Sequence, residues 1–107
     1  MRRVLFISGQ EPEDKHGKLV GRADLAAQAR QVFGNLGRAL AAAGARPAQV
    51  TKITIYVVDH KREYLPIIED ARAALFGDHK PTDVLVGIAT LSNPDYLIEV
   101  DAIAIID

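Results

Sequence analysis

The sequence of 107 residues has no cysteine, few aromatic residues and no large excess of charge of either sign. The absence of cysteine excludes disulfide frameworks, thiolate nucleophiles, CxxC redox pairs and cysteine zinc sites. Thirteen basic residues against fourteen acidic ones leave a formal charge of -1, which argues against a broad basic surface for nucleic acid or an anionic membrane. Three tyrosines and three phenylalanines do not alternate with basic residues, so base stacking on RNA is not indicated.

Long hydrophobic runs are also missing. The first apolar stretch, Val4–Ile7, is too short for the hydrophobic segment of a secretory signal and far too short to span a bilayer. We therefore expect a cytoplasmic protein. The length, with 49% hydrophobic and 25% charged residues, predicts one globular domain over residues 1–107.

Strand-like and helix-like segments alternate along the chain, which predicts a mixed α+β sheet. Apolar residues three and four apart indicate two helices, the first capped by Asp24 and the second carrying Pro66 in its first turn. Gly34 and Gly37 lie inside the first helix, where glycine is unfavourable. Two explanations fit equally well: another element packs closely against the helix backbone there, or the helix tolerates the glycines without a packing reason. The predicted strands are Val4–Ser8, Lys18–Val20, Val50–Val58, Val84–Thr90 and Tyr96–Ile106. The order is β-β-α-β-α-β-β, with antiparallel hairpins at both ends.

Both faces of the predicted sheet carry apolar side chains, although two helices cover only one face. In the strand Val50–Val58, for example, Ile53, Ile55 and Val57 alternate with Tyr56 and Val58. An apolar sheet face left in water promotes association. We therefore expect an obligate oligomer whose subunits cover it.

Two carboxylates interrupt an apolar row of the last strand. Glu99 and Asp101 share their side of the strand with Leu97 and Ile103, and charges there are costly unless they are solvated, paired or functional. If the last two strands form a hairpin, Asp83 comes close to both carboxylates. The residue pattern leaves two interpretations open, a solvated or ion-paired crevice and a functional carboxylate at Glu99.

Other reactive constellations are not indicated. His16, His60 and His79 lie in separate polar loops without ligands at metal-binding spacing, so no metal site is expected. Ser8 is not framed as Gly-x-Ser-x-Gly and is not a nucleophile elbow. Gly9 permits a ligand to approach the backbone closely.

Seven short motifs follow one another along almost the whole chain: Phe6–Gln10, Gln28–Val32, Asn35–Leu36, Ala43–Gly44, Val50–Tyr56, Phe76–Pro81 and Leu97–Ala104. Together they resemble the RidA/YjgF/RutC family, whose members are also labelled endoribonuclease L-PSP. The combination is specific, although each motif is short. The resemblance implies a chorismate-mutase-like α+β fold and a homotrimer whose sheets close into a central barrel. It also implies a ligand crevice at each subunit interface.

The resemblance further implies hydrolysis, without a cofactor, of enamines and imines made by pyridoxal-phosphate enzymes to 2-keto acids and ammonia. Carried over by position, Ser8, Gly9 and the backbone of Leu85 bind the ligand and Glu99 places the water. Asp83 stands where those members carry the arginine that holds the substrate carboxylate. The segment that normally precedes the first strand and lines the crevice is missing, so we expect a more open crevice.

Two functional hypotheses follow. In the first, the protein is an imine hydrolase acting through Glu99, and Asp83 repels carboxylates, so that 2-imino acid deaminase activity is weak or absent and a neutral or cationic substrate is favoured. In the second, it is a non-catalytic trimeric module that binds or senses a small metabolite. Both imply a small-molecule ligand and further copies of the chain as partners, with no nucleic acid and no membrane. The label endoribonuclease is not supported, because the sequence has no basic patch and no histidine pair for general acid–base cleavage of RNA.

Overall fold

A computed structural model describes residues 1–107 and shows four strands and two α-helices. The elements are β1 Arg3–Gln10, α1 Leu25–Ala42, β2 Val50–Val58, α2 Leu65–Phe76, β3 Thr82–Ile88 and β4 Ile98–Ile106. Single 3-10 turns, Pro47–Gln49 and Arg62–Tyr64, precede β2 and α2. The predicted mixed α+β fold with two helices is confirmed. Neither helix is long and apolar enough to cross a membrane.

The strand order in the sheet is β1-β4-β2-β3. β4 is antiparallel to both β1 and β2, whereas β2 and β3 are parallel. The predicted hairpin between the last two strands is therefore wrong, because β2 lies between them. The physical reason is the crossover through α2, which returns the chain to the sheet in the direction of β2 and so places β3 beside it.

The segment between β1 and α1 also differs from the prediction. Lys18–Val20 does not form a strand, and one isolated antiparallel bridge joins Glu13 to Leu19. Side chains of α1 donate hydrogen bonds to backbone carbonyls of this segment that would otherwise pair with a second strand. Asn35 donates from Nδ2 to the carbonyls of Glu11 and Glu13, at 2.8 and 2.9 Å. The segment is thus fixed to the helix rather than to the sheet.

The helix boundaries follow the predicted local signals. The Asp24 side chain accepts a hydrogen bond from the Ala27 backbone amide at 3.1 Å, as an N-cap should. Gly37 is explained by a close approach, since a Cβ on it would lie 2.9 Å from Leu75 Cδ1 of α2. A Cβ on Gly34 would meet only the flexible end of Arg38, so packing does not require this glycine.

Both helices lie on one side of the sheet, and the opposite side, which we call the open face, is uncovered in the single chain. Side chains from the helix side of β2 and β4, such as Ile53 and Val100, are fully buried. On the open face, Phe6 is 75% exposed and Val4 is 56% exposed. Val84, Val86 and Ile105 are further exposed apolar side chains of this sheet. The prediction of apolar residues on both faces is confirmed.

Candidate functional site

A bulge in β1 brings Ser8 and Gly9 to the last strand. The register changes from Ile7 opposite Ala102 to Gln10 opposite Val100, so that β1 holds one extra residue at this point. A Cβ on Gly9 would lie 2.7 Å from Cδ of Glu99 and closer still to Oε2. The Glu99 carboxyl therefore occupies the space that any other residue at position 9 would fill.

The surroundings of Glu99 favour its neutral form. Burial raises the pKa of this carboxyl above its usual value, and the neighbouring charges of Glu11 and Asp101 raise it further. Glu99 lies opposite Tyr56 in the register of β2 and β4, on the open face. A half-buried carboxyl that holds its proton to higher pH is a candidate for general acid–base chemistry.

A groove of about 410 Å³ lies on the same open face, and Asp101, two residues along β4 from Glu99, is part of its lining. It is lined by Phe6, Ile7, Ser8, Lys52, Thr54, Asp101, Ala102 and Ile103. Tyr56 lies beside the groove and donates from its hydroxyl to Asp101 Oδ2 at 3.1 Å. Burial, with this hydrogen bond, raises the pKa of Tyr56, so the phenol remains a donor at neutral pH. The groove offers one cation, one carboxylate and two hydroxyls between apolar walls, which suits a small polar molecule.

The remaining predicted site residues lie on the other side of the sheet. Asp83 is paired with Ile53 in the parallel register of β2 and β3 and shares its helix side. Its Oδ2 is 3.4 Å from Nε of Arg72 on α2, and Leu85 packs against the core. Within one chain, Ser8, Gly9 and Glu99 are brought together, whereas Asp83 and Leu85 are not brought to them. The expected approach of Asp83 to Glu99 is wrong because it depended on the hairpin.

The sequence interpretation missed three polar residues around these positions, Lys52, Tyr56 and Arg72. The first two share the parity of Thr54 on β2, so strand alternation alone placed them on the face of Glu99. Arg72 had no such signal, because its pairing with Asp83 depends on tertiary contact. No group of three or more histidine, cysteine or acidic side chains is placed to hold a metal ion.

The raised pKa of Glu99 implies that the stability of the folded protein depends on pH. Ionised Glu99 is less stable in the folded state, and this penalty is full above its folded pKa and vanishes below its unfolded pKa, near 4.5. We therefore expect Glu99→Gln to raise the thermal unfolding midpoint at pH 7 and to lose that advantage as the pH falls towards 4.5. Thermal melts of both proteins at equal concentration across this range test it. A difference that grows on acidification would contradict the assigned direction.

The fold and this site define a small α+β domain with a bulged edge strand and a carboxyl set into an open face that carries both apolar and polar side chains. The family model described as Endoribonuclease L-PSP matches residues 1–106. A RutC family protein of Pyrococcus horikoshii is 40% identical over 101 residues, covering 94% of this chain and 77% of that protein. The chain therefore belongs to the Endoribonuclease L-PSP family, as the motifs predicted.

Solved structures agree with this assignment. The Rid family protein YyfB from Yersinia pestis has a TM-score of 0.92 and 38% identity, over 97% of this chain and 79% of that one. TdcF of E. coli, solved with bound serine, has a TM-score of 0.83 and 29% identity, over 97% of this chain and 81% of that one. The YjgF gene product of E. coli has a TM-score of 0.82 and 31% identity, over 97% of this chain and 81% of that one.

Proposed function

We propose that this protein hydrolyses the C–N bond of a small imine or enamine in a crevice between subunits, with Glu99 placing the water. The observation that carries the proposal is the Glu99 carboxyl set over Gly9, with a raised pKa, on the same face of the sheet as a groove that Ser8 and Asp101 help to line. The serine bound to TdcF supports a small amine-bearing metabolite as the class of ligand.

The crevice is proposed to form between copies of the chain, in a homotrimer. Glu99 and Ser8 lie on the open face, whereas Leu85 belongs to β3 at the edge of the sheet and faces the helices. One chain does not present both sets of residues to one ligand. A second copy that places its β3 edge beside the first copy's open face joins the two sets and covers exposed apolar side chains such as Phe6.

The proposed reaction needs only water and one carboxylate. Ionised Glu99 takes a proton from water as the oxygen bonds to the imine carbon, and the C=N π electrons move to nitrogen. The protonated carboxyl returns this proton to nitrogen, which gives the carbinolamine. Ionised Glu99 then takes the proton of the carbinolamine hydroxyl as the C=O bond forms and the C–N bond breaks, and it passes that proton to the departing nitrogen. The products are a carbonyl compound and ammonia, or an amine. A carboxyl with a raised pKa suits these transfers.

Replacement of Glu99 tests this function. An amine oxidase generates a carboxylate-free imine in place, and we expect the wild-type protein to accelerate its hydrolysis. Glu99→Gln removes the proton acceptor with little change in shape and should lower kcat/KM about 100-fold. The exposed Glu63, in the turn before α2, supplies the matched control, and Glu63→Gln should leave the rate unchanged. An unchanged rate in Glu99→Gln would remove Glu99 from the mechanism.

A non-catalytic metabolite-binding module is the second candidate. The groove beside Ser8 favours it, because Lys52, Thr54 and Asp101 offer polar contacts without an evident nucleophile. A thermal-shift screen of amino acids and 2-keto acids tests this function. Stabilisation by a ligand that Lys52→Ala abolishes, together with no turnover of any imine, would support the module over the hydrolase.

A further inference from the structure

Arg72 is an unusual side chain for the buried side of a helix. The residue is 8% exposed, and it lies on α2 with Ile68, Ala71 and Phe76, which are also buried. Its Nη1 donates to Glu69 at 2.8 Å, and its Nη2 reaches the Pro81 carbonyl at 3.5 Å. The buried Nε has no hydrogen bond, and the nearest acidic oxygen recorded for it is Asp83 Oδ2 at 3.4 Å. Because Arg72 is always charged, its burial requires compensation.

Asp83 is well placed to compensate that charge. The Glu69 and Asp83 side chains are 59% and 42% exposed, so solvent screens both pairings with Arg72, and Asp83 extends from the helix side of β3 towards α2. Arg72 is the buried member of this pair, so removing its acidic partner would leave its charge less compensated. The Asp83 carboxylate is therefore held against α2.

We infer that Arg72 is a positioning residue that sets substrate choice by holding Asp83 against α2 and so offsetting its negative charge at the β3 edge. At the β3 edge the Arg72–Asp83 pair neither binds nor repels a substrate carboxylate. The substrates are therefore imines that lack a carboxylate. The inference rests on the proposed function. It differs from the sequence-based hypothesis that Asp83 repels a substrate carboxylate, because here no group at position 83 is available to bind that carboxylate. The residue at position 72 then determines whether the side chain at position 83 contacts α2 or is available to contact a bound ligand.

Two double variants that share an arginine at position 83 test this inference. In Arg72→Met/Asp83→Arg the new guanidinium has no acidic partner at position 72. Of the three residues only Glu69 remains acidic, and its side chain is 59% exposed, so we expect the arginine to extend from the strand edge. In Arg72→Asp/Asp83→Arg the charges are reversed and the pair forms again. We expect the ratio of kcat/KM for a 2-imino acid to that for the carboxylate-free imine to rise at least about tenfold in the first variant, mainly through KM. In the second it should change less than about twofold.

A neutral pair is the control for variants that fail to fold. Arg72→Met/Asp83→Asn removes both charges, and replacing a buried ion pair by uncharged residues of similar volume is often tolerated. Its substrate ratio should stay within about twofold of wild type, because the pair it replaces is already neutral. A tenfold rise in this control, or equal ratios in the two arginine variants, would overturn the inference.

Pyruvate binding separates a failure of this inference from a failure of the proposed function. If no protein turns over any imine, the hydrolase proposal fails, and calorimetric titration with pyruvate still compares the two arginine variants. Affinity at least about tenfold higher for Arg72→Met/Asp83→Arg than for the charge-reversed variant would support the role of Arg72 without catalysis. Equal affinities would reject it.

Discussion

Replacing Gln28 with leucine is expected to lower the free energy of unfolding by about 3–5 kcal/mol, since each buried group left without a partner costs about 1–3 kcal/mol. Gln28 is fully buried on α1, and its Nε2 donates to the carbonyls of Gly21 and Asp95, both at 3.0 Å. Its Oε1 accepts from the Leu97 amide at 2.7 Å. Leucine matches the volume approximately but leaves the Asp95 carbonyl and the Leu97 amide unpaired, whereas the Gly21 carbonyl keeps its hydrogen bond from the Asp24 amide at 2.9 Å.

Gln31 supplies the matched control one helical turn further along α1. Its Nε2 donates to the Glu13 carbonyl at 3.0 Å, but the residue is only partly buried and water can replace the bond. Gln31→Leu should therefore cost about 1 kcal/mol. Urea unfolding of both variants at one protein concentration measures the difference. Equal losses would contradict the special role of the buried amide.

The same glutamine connects the fold to the candidate site. Leu97 immediately precedes β4, and Glu99 lies at the second position of that strand. By fixing the Leu97 amide, Gln28 sets where β4 begins and hence which residue lies over Gly9. Gln28→Leu should for this reason also reduce any activity that depends on Glu99. A variant that loses stability but keeps full activity would separate the two roles.

Local sequence signals were sufficient to predict both helices and four strands, with Lys18–Val20 as the wrong fifth, but not the neighbours of the strands in the sheet. The β-branched run Val50–Val58 and the capping residue Asp24 act within a few residues, and the structure confirms both. Alternation in Val84–Thr90 predicts two faces, but it carries no information about which strand lies alongside. The parallel pairing of β3 with β2 follows from the crossover through α2, which a hairpin interpretation ignores.

The part of the candidate site that could be predicted from the sequence is the part whose residues lie on neighbouring positions of two paired strands. Glu99 interrupts an apolar row, Gly9 stands in a short strand where a glycine is costly, and the two meet at the bulge. Arg72 shows the opposite case. A single arginine in an amphipathic helix is normally exposed, and only the packing of α2 on β3 reveals that it is buried beside Asp83.

The distribution of charge over the two sides of the sheet has a functional consequence. Glu11, just after β1, and Asp101, on the open face, act on Glu99 and raise its pKa. On the helix side, Asp83 is offset by Arg72. The acidic character of the site therefore comes from the β1 bulge and β4 rather than from β3. Substitutions at the bulge should change proton chemistry, whereas substitutions at Arg72 and Asp83 should change substrate choice.

Replacing Gly9 with alanine is expected to destabilise the protein by about 1–3 kcal/mol and to displace the Glu99 carboxyl. The new methyl group would fall 2.7 Å from Glu99 Cδ and 3.1 Å from its Cγ, so the side chain must move off the bulge. Hydrolysis of a carboxylate-free imine should then fall about as far as in Glu99→Gln, because the carboxyl remains but no longer points at the substrate. Thermal melts and the coupled amine oxidase assay measure the two effects.

Gly34→Ala is the control that separates this contact from a general intolerance of alanine. A Cβ on Gly34 would lie 3.3 Å from the flexible guanidinium of Arg38, and alanine favours a helix interior over glycine by about 1 kcal/mol. That variant should be as stable as wild type or more stable, with unchanged activity. If Gly9→Ala matches it in both measurements, the Glu99 carboxyl does not need the space above Gly9. If Gly9→Ala loses activity and Gly9→Ala/Glu99→Gln loses no more, the two residues act as one unit at the bulge.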